Sequence, residues 1–218
     1  MKIANLYNHL NGYEYLLVHK KELWDQLSNA ITEINADDYI KISKDKAKTG
    51  RKLFDQKGIN DKFKEILTSR LGWQELKKHY YVTSDIETER EIVKLKDDSL
   101  QKEIIEEKGL IPYKTNNQID FVKDRVAIEV QFGKYFSVAY DLHVKHTFFY
   151  LTNEIDVGIE IIPTHKMMKR MDTGVAWFEN EVANVIREGR SNPTVPIVIL
   201  GIEPDSVEHI DNLNLINK

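Results

Sequence analysis

The chain has 218 residues, no cysteine and a formal net charge of −4. The lack of cysteine excludes a disulfide scaffold and zinc–thiolate sites, and a chain of this length buries about 70% of its unfolded surface without such staples. No apolar run approaches the roughly 20 residues needed to span a bilayer. The opening Met1-Lys2-Ile3-Ala4-Asn5-Leu6-Tyr7 lacks the apolar core of a secretion signal, so a cytoplasmic protein is expected. The weak negative charge gives no global attraction to nucleic acid, although a local cleft potential still acts on phosphates.

In chain order, Leu23, Trp24, Leu27, Ile31 and Ile34 recur at helical spacing and predict a helix over 20–35. A lysine-rich stretch follows, with Lys41, Lys44, Lys46, Lys48, Arg51 and Lys52 around Thr49-Gly50. It reads as a solvated, mobile surface. Residues 60–71 predict a second helix, capped at Asn60, with Phe63, Ile66, Leu67 and Leu71 as its stripe. Residues 87–108 are strongly charged and helical in part. Two strands joined by a polar turn at Lys123-Asp124-Arg125 fill 119–134. A helix over 138–151 and a strand over 155–162 come next, then a second basic cluster, Lys166, Lys169 and Arg170. Residues 175–188 predict a helix with Trp177, Phe178, Val182, Val185 and Ile186 on its apolar side, and 194–202 a buried strand. The polar tail after Pro204 is expected to fray. This order describes one α/β domain over 1–218, a central mixed sheet flanked by helices.

The chemistry concentrates on 119–134. Val126, Ile128, Val130 and Phe132 alternate with Ala127, Glu129 and Gln131. Successive strand residues point to opposite faces, so Glu129 and Gln131 share one face, roughly 7 Å apart. The hairpin can bring Asp120 beside them. Asp120 and Glu129, with the backbone carbonyl of Val130, form a hard-oxygen set suited to magnesium, and neutral Gln131 can orient water or phosphate. On spacing alone an Asp with Glu-x-Gln is a weak pattern, because carboxylates at strand ends are common. His143 and His146 have metal-like spacing but no third ligand nearby, which favours a packed or surface role. The orders GxxxxGK[ST], GxGxxG and GxSxG are absent.

The run from Asn117-Gln118-Ile119-Asp120-Phe121 to Ala127-Ile128-Glu129-Val130-Gln131-Phe132 resembles the active-site hairpin of type II restriction endonucleases of the BglII/BstYI group, BstYI most closely. The likeness extends to Tyr7-Asn8-His9-Leu10-Asn11-Gly12, to 120–135, to Val138-Ala139-Tyr140-Asp141-Leu142 and to Asn184-Val185-Ile186-Arg187. It implies the PD-(D/E)XK restriction-endonuclease-like fold and a homodimer. It also implies magnesium-dependent double-strand cleavage of DNA, with manganese substituting, at a GATC-containing palindrome of RGATCY type, leaving 5′ overhangs. A cognate DNA methyltransferase would belong to the same system. By position, Asp120 and Glu129 match the group's metal ligands. Gln131 stands where most of the superfamily carries lysine, as it does throughout this group. Lys134 matches a major-groove base reader. Thr173, beside Asp172, matches a base-contacting loop position where BstYI has serine. Lys48, Arg51 and Lys52 align with a loop near the DNA. A structure-specific repair nuclease of the same fold and a DNA-binding protein without catalysis are the competing readings.

Overall fold

Two stretches of the chain, Val157–Pro163 and Ile197–Glu203, are buried at every position. Strands covered on both faces belong at the centre of a sheet with parallel neighbours, and that is where both lie. The computed structural model of the protein describes residues 1–215, which divide into two compact units: Met1–Gln74 with the chain from Asp120 onward, and Glu75–Ile119.

The first unit begins with β1 (Lys2–His9), α1 (Gly12–His19) and α2 (Lys21–Glu33). A small antiparallel pair, β2 (Ile40–Ile42) and β3 (Lys52–Phe54), precedes α3 (Gln56–Lys64), which runs on into a π-type segment, Glu65–Arg70. The second unit contains β4 (Gln74–Val82) from Glu75 onward, α4 (Ile86–Ile92), α5 (Asp98–Glu107) and the first part of β5 (Tyr113–Lys123). Asp85 and Asp97 cap its helices, accepting from Thr88 N and Ser99 N at 2.9 Å each. The buried Gln101 amide donates to Leu95 O and accepts from Tyr81 N.

Back in the first unit come β6 (Val126–Val130), α6 (Tyr135–Tyr140), a π segment (Asp141–His146) and α7 (Thr147–Leu151). They are followed by β7 (Val157–Pro163), α8 (His165–Met168), α9 (Phe178–Glu188), β8 (Ile197–Glu203) and α10 (Glu208–Leu215). The strand order is β1-β8-β7-β6-β5. The β6–β7 and β7–β8 pairs are parallel and the outer pairs antiparallel, so the sheet is mixed. Val126, Ile128, Val130 and Phe132 face a core shared with Leu16, Leu27, Ile31, Phe63 and Trp73. On the other face Val138, Leu142, Val185, Ile197 and Ile199 form a second core.

Asp124 and Arg125 both adopt positive φ, 44° and 67°. This is the left-handed pair that a two-residue hairpin turn needs to match strand twist. The turn is anchored by Arg125, whose Nε and Nη2 donate to Asp156 Oδ2 and Oδ1 at 2.9 and 2.7 Å.

Two expectations are corrected. The helix read as starting at Asn60 begins at Gln56, with Asp55 at its cap position, so Asn60 lies in its interior. As far as residue 215 the tail after Pro204 does not fray, residues 216–218 lying outside those described: Ile210 is buried, Asn214 bonds the backbone of Lys52, and Arg170 pairs with Asp211 at 2.7 Å. The lysine-rich stretch is largely exposed, as expected, and closes as a loop, with Ser43 N donating to Arg51 O and Gly50 N to Ser43 O. β1, a stretch to which the sequence assigns no element, is a strand at the sheet edge. Its mostly exposed or half-buried residues lack the apolar alternation that would announce one. Among the described residues no helix is long and apolar enough to cross a membrane.

Candidate active site

Phe121 pairs with Ile128 in the β5–β6 ladder, and both are buried in the first core. Asp120 and Glu129, one residue further along, therefore turn to the opposite face, the side covered by the helical stretch from α6 to α7. Their surroundings differ: Asp120 is exposed, whereas Glu129 retains 2% of its accessible surface. Burial, with the nearby charges of Asp141 and Asp120, pushes the Glu129 carboxyl up to about 9.

Asp141 enters from the π segment and is itself buried, which raises its carboxyl. Lys145, one turn later, donates from Nζ to Glu129 Oε1 at 3.0 Å and lies 2.7 Å from Asp141 Oδ1. Burial disfavours its ammonium, but the two carboxylates outweigh that and raise its pKa. Gln131 completes the cluster: its Nε2 donates to Asp141 Oδ2 at 3.2 Å, and its Oε1 accepts from Gly133 N at 2.9 Å. The amide is thus fixed in orientation.

Beneath this layer, Glu160 on β7 stands opposite Glu129 in the parallel register and is fully buried. His146 lies over Gly158, where a Cβ would come within 2.6 Å of His146 Nδ1, so only glycine admits the ring. His146 Nε2 is 3.6 Å from Glu160 Oε2, beyond hydrogen-bond reach. Burial pushes the histidine down to about 3 and the glutamic acid well above the usual carboxylate range, so the pair packs as neutral groups. The other histidine of the i, i+3 pair, His143, lies 3.1 Å from Glu188. Both occupy packed or surface roles.

Among the described residues no three or more His, Asp or Glu side chains are arranged to close on a metal ion. The carboxylate oxygens of Asp120 and Glu129 nonetheless fit a magnesium-type ion, which is typically held by one or two carboxylates and completes its shell with water and substrate phosphate.

Residues expected at a nucleic-acid surface come together near the end of β6. Lys134, exposed, forms a bridge with Val175, and Tyr135 N donates to Gly174 O at 2.9 Å. The Lys134 position and the Thr173-Gly174 loop are therefore neighbours. Thr173 is exposed, and both its N–H (2.8 Å) and its hydroxyl donate to Asp45 Oδ2. Those bonds hold the Asp45 carboxyl down at about 2. Asp172 pairs with Lys41 at 2.7 Å and accepts from Ser43 Oγ at 3.0 Å. Lys48 donates to the carbonyls of Lys169 and Met171, folding back onto the protein. Arg51 is exposed, while Lys52 is half-buried against Asn214.

Asp141, Lys145 and Glu160 were missed as site residues by sequence reasoning. Asp141 and Lys145 do carry a signal, opposite charges at i, i+4. The π segment, however, shifts which side of the helix meets the sheet, and no local pattern reveals that shift.

Residues 4–202 match the model of the family described as restriction endonuclease BglII/BglIII. The structure is similar to the crystal structure of restriction endonuclease BglII complexed with a DNA 16-mer, with TM-score 0.63 and 18% identity, covering 93% of this chain and 79% of that one. It is also similar to that of free BglII, with TM-score 0.56 and 16% identity, covering 93% and 80%. No curated protein sequence matches the chain. At such identities the structural likeness establishes a mixed α/β fold like that of BglII, a central sheet flanked by helices, and the family match extends from β1 to β8. On that match the chain belongs to the BglII/BglIII restriction endonuclease family and is a type II site-specific deoxyribonuclease.

Proposed function

We propose that this enzyme is a homodimer that cuts both strands of a GATC-containing palindrome of RGATCY type, leaving 5′ overhangs, with magnesium held by Asp120 and Glu129. The observation that carries this reading is the placement of Asp120 and buried Glu129 one step beyond the Phe121–Ile128 pair, on the sheet face that Gln131 shares. A double-stranded substrate is in keeping with the DNA 16-mer bound by BglII. A two-fold palindrome presents two equivalent scissile phosphates, which a two-fold dimer meets with one site each. A cognate methyltransferase would protect host sites, and the pair would act in the cytoplasm.

Magnesium, or manganese in its place, would lower the pKa of a bound water and neutralise charge developing on the phosphate; the carbonyl of Val130 is a further candidate ligand. The protein's own groups do the rest. Glu129 is held by Lys145, so little reorganisation is needed before an ion engages it. The Gln131 amide, oriented by Asp141 and Gly133, positions water or a phosphoryl oxygen by hydrogen bonding. Lys134 donates to guanine O6 and N7 in the major groove. Thr173 contacts the outer base with the acceptor lone pairs its hydroxyl retains. Arg51 and Lys52 face phosphates, and Lys48 and Asp172 act by shaping the adjoining loops.

Glu129→Ala tests the assignment. Cleavage of plasmid DNA in magnesium should fall by roughly three orders of magnitude or more, the scale of losing a principal catalytic group, while specific binding in calcium survives. Retained cleavage would refute it. Sequenced ends from digested genomic DNA test the site, since a smear instead of discrete fragments excludes sequence specificity.

A further inference from the structure

Lys145 sits at the centre of the site, where the scheme above uses it only to hold Glu129. Its side chain is 20% exposed, and its ammonium bridges two carboxylates that are each 2% exposed, 3.0 Å from Glu129 and 2.7 Å from Asp141. This is no solvated surface pair. The lysine arrives from the helix that covers the site, and the amide beside it, Gln131, is neutral. If Glu129 takes a divalent ion, ammonium and ion become like charges competing for the same carboxylate. Asp141, the nearer anchor, gives the ammonium a place to remain. An uncompensated buried carboxylate is costly, so an ionised Glu129 needs a cation beside it, the ammonium or the divalent ion.

We propose that Lys145 is the resident counter-cation of the active site: it holds Glu129 in position before the divalent ion binds, cedes that carboxylate to the ion while staying on Asp141, and leaves one fixed positive charge beside the scissile phosphate. The inference rests on the metal reading of Asp120 and Glu129. It carries a consequence opposite to that of an ordinary structural lysine. Lys145 opposes metal binding and assists cleavage, so its removal separates the two.

The test measures manganese binding to the DNA-free enzyme by electron paramagnetic resonance, alongside cleavage, for wild type, Glu129→Ala, Lys145→Met and Lys145→Arg. Lys145→Met should bind manganese roughly tenfold more tightly, since a like charge is removed from within a few ångströms of the ion, yet cleave at least tenfold more slowly. Lys145→Arg should restore near-native affinity. If Glu129→Ala binds manganese as wild type does, the metal reading fails. If Glu129→Ala loses the ion but Lys145→Met binds it no more tightly, the Lys145 inference alone is overturned. A measurement on the unaltered sequence does not depend on how the Met variant folds. The Nζ resonance of Lys145, in lysine-labelled enzyme, should shift with the same midpoint as magnesium binding. A resonance indifferent to saturating magnesium overturns the proposal.

Discussion

Glu129 lies directly opposite Glu160 in the parallel ladder between β6 and β7, and both side chains are buried. Two carboxyl groups on strands about 4.8 Å apart, on one face, cannot both ionise cheaply. The structure separates their roles: Glu129 meets the Lys145 ammonium, while Glu160 has no hydrogen-bond partner among the described residues. Glu160 is therefore a neutral acid at pH 7, held so chiefly by burial.

A neutral Glu160 is nearly isosteric with glutamine. Glu160→Gln should change stability by less than about 1 kcal/mol, whereas Glu160→Ala, which leaves a cavity, should cost about 2–4 kcal/mol. Urea midpoints measure both. Equal destabilisation by the two substitutions would mean that the buried group is ionised.

His146 predicts a pH dependence. Its folded pKa, lowered to about 3 by burial and by Lys145, lies below the ordinary value of 6.5. The unfolded chain then binds a proton that the folded chain refuses. This contribution to stability is fully present above pH 6.5 and is lost as pH falls from there towards 3. Glu160, raised, contributes with the opposite slope over part of that range, so the diagnostic quantity is the difference between wild type and His146→Leu. That difference should move in favour of the variant by about 1.4 kcal/mol per pH unit on acidification. A constant difference across the window would show that the ring is already charged.

Lys134 and the Thr173 loop are tied through Tyr135 N and Gly174 O. Lys134→Ala should weaken binding to the cognate duplex by about 1–3 kcal/mol, the usual worth of a good base contact. Titration of random DNA under the same salt should show little change. Equal weakening on both duplexes would reassign Lys134 to the phosphate backbone.

Asp45 fixes Thr173 through both its N–H and its hydroxyl. Asp45→Ala releases that loop without touching the carboxylates at β5 and β6. Cleavage of the preferred site should persist, while discrimination at the outer base pair should relax by roughly tenfold, the order of one charged hydrogen bond. Competition between duplexes differing only at that pair would read this directly. Unchanged discrimination would remove the loop from recognition.

The alternation of Val126, Ile128 and Val130 with Ala127 and Glu129 is a property of neighbouring residues. The sequence by itself therefore determined that Glu129 and Gln131 share a face opposite the main core. The same local logic determined the helical stretches around Leu27 and Val185, whose apolar faces recur with the backbone's own period. Tertiary structure decided what meets those faces. Glu160 sits in the run Val157–Pro163, buried on both sides, where periodicity carries no information. Its pairing with Glu129 was set by the register of the parallel crossover. Lys145 and Asp141 reach the site because a π segment turns the helix towards β6. The Asp45–Thr173 bond joins residues 128 apart in sequence, so it exists only once the loops have been brought together. Local backbone geometry sets faces and periods, whereas burial, register and long-range charge exist only after the chain has packed.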